Sequence, residues 1–186
     1  MFIGLDLGTS HLKGIVIDDA QNICAEASFP LNVERPKNSW VEQDPNDWIV
    51  ATENVMASLS VQVKLDQVKA IGLSGQMHGA TILDQNGNVL RPCILWNDTR
   101  SFEEASYLDS KAIFRDLTGN IVFPGFTAPK IAWIKKHEPK IFDQISKVLL
   151  PKDYLRFWLS GEYVAEMSDA AGTSWLDVKK RDWSDD

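Results

Sequence analysis

The sequence is poor in cysteine, and its cysteines stand far apart. Cys24 and Cys93 are the only two among 186 residues, so a disulfide framework or a cysteine-built zinc site is not expected. We expect both thiols to be reduced and buried in the core. No second histidine or carboxylate stands at metal-ligand spacing from His78, which also argues against zinc.

Long apolar runs and an excess of positive charge are missing too. No apolar stretch approaches the roughly 20 residues that span a bilayer, and the N-terminus does not resemble a signal peptide. The net charge of −7 argues against a nucleic-acid-binding surface. We therefore expect a cytoplasmic protein with no membrane or nucleic-acid partner. A phosphate-bearing ligand stays open, because the backbone N–H groups of one turn can bind phosphate.

The pattern of apolar segments predicts an α/β domain. With 44% hydrophobic and 24% charged residues, the chain is typical of one globular domain. Three short apolar segments over residues 2–30, separated only by turns, predict an antiparallel meander. Asp44 and Pro45 predict a helix start, and residues 68–74 a buried strand. Helices follow Arg100. The apolar stripe of the first helix consists of Trp48, Ala51, Val55 and Leu59.

The first polar motif lies in GLDLGTSHLKG, where Asp6 interrupts an apolar strand beside a Gly-Thr-Ser turn. A strand follows this turn, which excludes a dinucleotide fingerprint and a P-loop. Two interpretations stay open. One is an ordinary turn, which spacing alone favours. The other is a phosphate clamp, in which Gly8, Thr9 and Ser10 donate hydrogen bonds, Lys13 adds charge and Asp6 holds a metal ion through water. The apolar surroundings predict that Asp6 is buried, which weakens the first interpretation.

The second motif, SGQMHG, follows the predicted strand of residues 68–74 directly. Gly75 and Gly79 permit backbone conformations and close approaches that other residues do not. Gln76 and His78 are suited to binding hydroxyl groups, and ligands gather at the carboxyl ends of strands in α/β sheets. A structural loop histidine is an equally good interpretation of His78.

The third motif, WNDTR, ends another apolar run. Trp96 offers a flat apolar face of the kind that packs against a sugar ring. Asn97, Asp98 and Arg100 offer donors and acceptors that we expect on the same rim. The alternative is a core tryptophan beside a surface ion pair of Asp98 and Arg100.

Taken together, GLDLGTS, SGQMHG, LWNDTR and GFTAPKIAWIKKHEP resemble the FGGY carbohydrate kinases. Gly125, Thr127, Lys130 and Trp133 stand where the N-terminal signature of that family has its defining residues. The resemblance runs through essentially the whole chain. It is strongest toward bacterial members of the family that phosphorylate D-xylulose.

The resemblance implies an actin-like, ribonuclease-H-like α/β fold with a mixed sheet, an N-terminal three-strand meander and flanking helices. It also implies transfer of the ATP γ-phosphate to the 5-hydroxyl of D-xylulose with Mg²⁺. The implied residue roles are Asp6 as the catalytic and metal-binding acid, Gly8, Thr9, Ser10 and Lys13 at the phosphates, Gln76, Met77 and His78 at the sugar, and Trp96, Asn97, Asp98 and Arg100 on the sugar-side rim.

One part of the family pattern is missing from residues 1–186. The catalytic base of the family is an Asp in a Gly-Gly-Asp-Asn-type stretch, and this sequence has none. The resemblance therefore implies an N-terminal sugar-binding domain, incomplete at its C-terminal end, without the second, ATP-binding domain. We expect negligible kinase activity from this polypeptide alone. A kinase for another pentulose or a polyol, a non-catalytic actin-like binding module, and a homodimer all stay open.

Overall fold

The computed structural model describes residues 1–185. Its main sheet has four strands in the order β3-β2-β1-β5, and two-stranded sheets join β4 to β7, β6 to β8 and β9 to β10. The strands are β1 Phe2–Leu7, β2 His11–Ile17, β3 Ile23–Pro30, β4 Glu42–Gln43, β5 Ala70–Gly75, β6 Thr81–Leu83, β7 Cys93–Ile94, β8 Lys147–Leu149, β9 Leu176–Asp177 and β10 Asp182–Trp183. The α-helices are α1 Pro45–Ser60, α2 Phe102–Asp109, α3 Ala112–Thr118, α4 Thr127–His137, α5 Pro139–Phe142, α6 Pro151–Ser160 and α7 Met167–Ala170.

The N-terminal meander is confirmed. Strands β1, β2 and β3 pair antiparallel through short turns, while β5 returns parallel to β1. A parallel pair needs a long crossover, and α1 lies within the segment that provides it. The sheet is therefore mixed, as predicted.

Helix α1 covers one face of this sheet, and the main apolar core lies between the helix and the sheet. Asp44 caps it by accepting a hydrogen bond from the N–H of Asn46 at 2.9 Å. The predicted apolar stripe is confirmed, since Trp48, Ala51, Val55 and Leu59 are all buried. Gly14 of β2 allows the close approach, because a Cβ there would lie 2.5 Å from Cγ1 of Val55.

The C-terminal half packs helices around a second apolar cluster. Ile82 and Ile94 from two short strands meet Trp133 and Ile134 of α4 in this cluster. Helix α6 ends at Gly161, whose φ of 75° is left-handed, as glycine permits. No helix within residues 1–185 is both long and apolar enough to cross a membrane.

Two expectations about burial are wrong. Cys24 is exposed, because its neighbour Ala25 takes the core-facing side of β3 and successive side chains alternate. No residue of β5 is fully buried, because β5 lies at the edge of the main sheet. Cys93 is buried as expected.

Candidate functional site

The turn between β1 and β2 leaves part of its backbone free. The N–H of Gly8 donates to the carbonyl of His11 at 3.1 Å, so it is already used within the turn. The N–H groups of Thr9 and Ser10 find no acceptor in the described part of the chain. Two of the three N–H groups expected in the phosphate clamp are thus available to a ligand.

Asp6 is exposed, so the expectation that its carboxylate is buried is wrong. Its neighbours Leu5 and Leu7 point into the core, and alternation along the strand turns Asp6 to the opposite face. There it stands across from Lys13 on β2 and Ser74 on β5. These three polar residues line one groove on the sheet surface.

The geometry around Asp6 fits a magnesium ion bound together with phosphate. Mg²⁺ often takes only one or two protein carboxylates and completes its coordination with water and substrate phosphate. Asp6 has no ion-pair partner among residues 1–185 and lies on β1 just before the turn that carries the free N–H groups of Thr9 and Ser10. The described residues contain no cluster of three or more His, Cys, Asp or Glu side chains that could hold a metal ion by themselves. A magnesium ion at Asp6 would therefore need ligands from water and phosphate as well.

Thr9 connects the turn to both other motifs. Its hydroxyl donates to Oε1 of Gln76 at 3.2 Å, and Nε1 of Trp96 donates to the hydroxyl oxygen of Thr9 at 3.0 Å. One hydroxyl therefore joins the turn, the SGQMHG loop and the WNDTR segment. Trp96 keeps 43% of its surface exposed, so its ring remains available to a ligand.

Gln43 anchors this junction and was missed by sequence reasoning. Its Nε2 donates to the carbonyls of Thr9 at 2.7 Å and Asn32 at 2.9 Å, and its Oε1 accepts from Gln76 Nε2 and Trp48 Nε1. The amide is almost completely buried, which makes these bonds structurally important. Sequence signals that could have found it were its position just before the Asp44 helix cap and its place in SWVEQDP, a stretch that also resembles the family.

The SGQMHG loop divides its side chains between support and exposure. Gln76 is buried and used in the junction, while Met77 is 45% exposed. His78 is half-buried and has a φ of 64°, which non-glycine residues adopt only at a cost. At Gly79 a Cβ would lie 2.6 Å from Cγ of Pro151, so only glycine fits.

The His78 ring is enclosed by a neighbouring loop. It packs on Phe126 with ring centroids 4.7 Å apart, and a Cβ on Gly172 would lie 2.1 Å from its Cε1. Burial, with Lys130 nearby, holds the pKa of His78 below its ordinary value of 6.5. The imidazole is therefore neutral at pH 7, the form that can both donate and accept a hydrogen bond.

The loop before α4 ties His78 to Trp96. Phe126 packs on the His78 ring, and a Cβ on Gly125 would lie 2.3 Å from the carbonyl oxygen of Trp96. The loop thus holds the segments that carry the two predicted sugar contacts. Asn97 lies half-buried next to Trp96, and its Oδ1 is buried without a hydrogen-bond partner among the residues described.

Asp98 and Arg100 do not lie on the rim with Trp96, so that expectation is wrong. Their side chains are 0% and 1% exposed. Arg100 contacts both carboxylate oxygens of Asp98, at 2.7 and 3.0 Å, and Nη1 lies 2.6 Å from Glu42. Its guanidinium stacks 3.8 Å from the Trp40 ring centroid. The alternative of a surface ion pair is equally wrong, because this pair is internal.

Most of the sequence-predicted residues therefore divide into three groups. Thr9, Gln76 and Trp96 meet through hydrogen bonds, and Met77 and His78 continue that loop. Asp6 and Lys13 lie side by side on the face of the main sheet that points away from the core. Asp98 and Arg100 brace the structure from inside.

Comparison with known proteins identifies the family. Residues 1–186 match the model of the N-terminal domain of the FGGY family of carbohydrate kinases. The chain is 54% identical to the xylulose kinase of Escherichia coli K12 over 186 residues, which are 100% of this chain and 38% of that protein. Its structure superposes on a xylulose kinase from Brucella ovis with a TM-score of 0.97 and 57% identity, covering 98% of this chain and 39% of the other.

A second curated relative agrees with these matches. The xylulose kinase of Klebsiella pneumoniae is 51% identical over 187 residues, which are 100% of this chain and 39% of that protein. The chain thus spans less than two fifths of the length of these relatives. The structural match also confirms the predicted actin-like α/β fold. The chain belongs to the FGGY family of carbohydrate kinases, over the N-terminal domain of that family.

Proposed function

We propose that this chain forms the sugar-binding and phosphate-turn side of an ATP-dependent kinase for D-xylulose. The observation that carries the proposal is the hydrogen bond from Trp96 Nε1 to the Thr9 hydroxyl. It places an exposed aromatic face of the kind that binds sugars beside backbone N–H groups that have no acceptor within residues 1–185. The choice of D-xylulose is supported by relatives named as xylulose kinases.

Each exposed residue of the site has a role in this proposal. Met77, His78 and Trp96 contact the sugar, with the neutral imidazole bonding a hydroxyl group. The N–H groups of Thr9 and Ser10 and the hydroxyl of Ser10 hold phosphate oxygens, as an anion-binding turn does, while the Thr9 hydroxyl is already used by Gln76 and Trp96.

Asp6 and Lys13 serve the phosphates from the sheet face. Lys13 adds a positive charge, and Asp6 would hold Mg²⁺. When bound, Mg²⁺ neutralises charge on the transferred phosphoryl group. Phosphoryl transfer depends mainly on positioning and charge stabilisation, and these residues supply both on one side. We assign no residue of this chain to the proton of the sugar hydroxyl, so the chain alone should have negligible kinase activity.

Sugar binding is testable on the 186-residue chain by tryptophan fluorescence. We expect D-xylulose to change the emission and glycerol to leave it unchanged. Because the chain contains seven tryptophans, the W96F variant identifies the source, and it should lose the response. A full response in W96F, or none in the unmodified chain, would contradict the assignment of the sugar site.

Activity is testable on the protein expressed over its whole reading frame. We expect ATP-dependent phosphorylation of D-xylulose, with lower kcat/KM for D-ribulose and glycerol. A higher kcat/KM for D-ribulose or glycerol would contradict the choice of D-xylulose and would indicate a kinase for another pentulose or for a polyol. Sugar binding without any turnover would instead support a non-catalytic binding module.

The cellular location follows from the same proposal, and the oligomeric state is open to measurement. A kinase that draws on ATP and a sugar substrate belongs in the cytoplasm, where we place this one. Light scattering on the same preparation determines whether it forms a homodimer.

A further inference from the structure

Lys130 is a completely buried ionisable side chain near the candidate site. It lies in the first turns of α4 and is 0% exposed, which is rare for lysine. Its Nζ donates to the carbonyl of His78 at 2.8 Å and to that of Gly125 at 2.7 Å. Within residues 1–185 no carboxylate pairs with it. A side chain without exposed surface does not touch a sugar, so its effect must pass through these two carbonyls.

Both carbonyls belong to residues that position predicted sugar contacts. His78 has the left-handed φ of 64°, a conformation that persists only where the surroundings hold it. Gly125 packs against the carbonyl of Trp96. Thr127 adds a second donor to the His78 carbonyl, from Oγ1 at 3.2 Å. Two donors from the start of α4 thus converge on one backbone oxygen of the SGQMHG loop.

The chemistry of a buried amine matches this arrangement. Burial lowers the pKa of Lys130 to about 7, with Arg100 acting in the same direction and Cys93 and Asp98 opposing it. A neutral amine has two N–H donors, and two carbonyls receive them. A charged ammonium group has three donors, one more than the two carbonyls that Nζ of Lys130 contacts within residues 1–185.

We propose that Lys130 is a positioning residue that sets the orientation of His78 by clamping its carbonyl to that of Gly125. Sugar affinity therefore depends on a lysine that contacts no sugar. This inference rests on the proposed function, since it assigns His78 to the sugar.

A double-mutant cycle tests the coupling in the protein expressed over its whole reading frame. We expect K130M to raise the KM for D-xylulose about tenfold or more, as the loss of buried hydrogen bonds does, while the KM for ATP stays unchanged. In the H78A background, K130M should add less than about twofold, because the residue it positions is gone. Equal effects of K130M with and without His78 would overturn the proposal.

Two further variants serve as a control and as an alternative to K130M. K135M replaces an exposed lysine of the same helix and should change neither KM. If K130M does not fold, T127V decides, because it removes the second donor to the same carbonyl with little change of volume. We expect T127V to raise the D-xylulose KM in the same direction, and an unchanged KM would overturn the proposal.

Histidine NMR gives a readout that does not depend on activity. The described chain holds three histidines, and His11 is an exposed internal reference. We expect the Hε1 signal of His78 to move in K130M and in T127V but not in K135M. T127V changes no charge, so a shift there reports the position of the ring. If D-xylulose is not a substrate but these shifts occur, the proposed function fails and the clamp stands. Unmoved His78 signals would overturn the clamp.

Discussion

At the scale of single residues, one hydroxyl group connects the three motifs of the candidate site. Thr9 Oγ1 accepts from Trp96 and donates to Gln76, and Gln43 fixes the Thr9 carbonyl from behind. Because the hydroxyl and the carbonyl of Thr9 both have side-chain partners, the turn is held in place without using the N–H groups of Thr9 and Ser10. The turn is thus preorganised by hydrogen bonds to Gln43, Gln76 and Trp96, and the two glutamines are themselves buried.

Lys130 should make the stability of the chain depend on pH. Its pKa is about 7 in the folded state and 10.5 ordinarily. Between these values the unfolded chain binds one more proton, so the free energy of unfolding rises with pH. From pH 7 to pH 9 we expect a gain of roughly 2 kcal/mol, at about 1.4 kcal/mol per pKa unit, measured by urea unfolding.

The chosen pH window separates Lys130 from other shifted groups. Burial raises the pKa of Cys93 from 9.0 to about 11, which lowers stability only above pH 9. The lowered pKa of His78 acts below 6.5. K130M should abolish the gain and K135M should retain it. An undiminished gain in K130M would show that another group is responsible.

At the scale of elements, the long segments were predictable and the short strands were not. The stripe of α1 and the meander follow from periodicity and turn residues within each segment. By contrast, β4 and β7 have two residues each, and they are held by pairing with each other and by single bridges to Glu34 and Ala80. Nothing local distinguishes such strands from loops, because their hydrogen bonds come from a distant part of the chain.

The contact between α1 and β2 gives a prediction about packing. In G14A the added methyl group would lie 2.5 Å from Val55 Cγ1, so we expect a loss of roughly 1–3 kcal/mol from overpacking. V55A alone removes core volume and also destabilises. In the double variant the alanine at position 55 makes room, so the combined loss should be smaller than the sum. Urea unfolding of the four chains measures this, and simple additivity would refute the steric explanation.

At the scale of the whole molecule, a buried network of charges joins distant segments. Glu42 lies beside Arg100 and Arg91, Arg91 reaches Glu138 at 2.7 Å, and Arg100 pairs with Asp98. Asp98 also accepts from the N–H of Val41 at 2.6 Å. These charges connect β4, the segments around β7 and the end of α4, so the network holds the region behind the candidate site together.

Removing one member of this network should destabilise the whole chain. R100M leaves the buried Asp98 carboxylate without its cation, at a cost of about 3–5 kcal/mol. K69M breaks the exposed pair of Lys69 and Asp19 and should have little effect. Denaturation followed by circular dichroism compares the two variants. A loss in R100M no larger than that in K69M would show that the network does not stabilise the fold.

The sequence by itself determined the meander, the first helix and the motifs of the candidate site, because periodicity, caps and glycine turns act over a few residues. Only the tertiary structure decided which polar residues face a ligand. Asp6 is exposed because side chains alternate along β1 and only one face of the sheet is covered by the core at that point. Arg100 is internal because Glu42 and Trp40, which are far away in the sequence, pack against it. Burial depends on which segments meet, and local sequence carries little of that information.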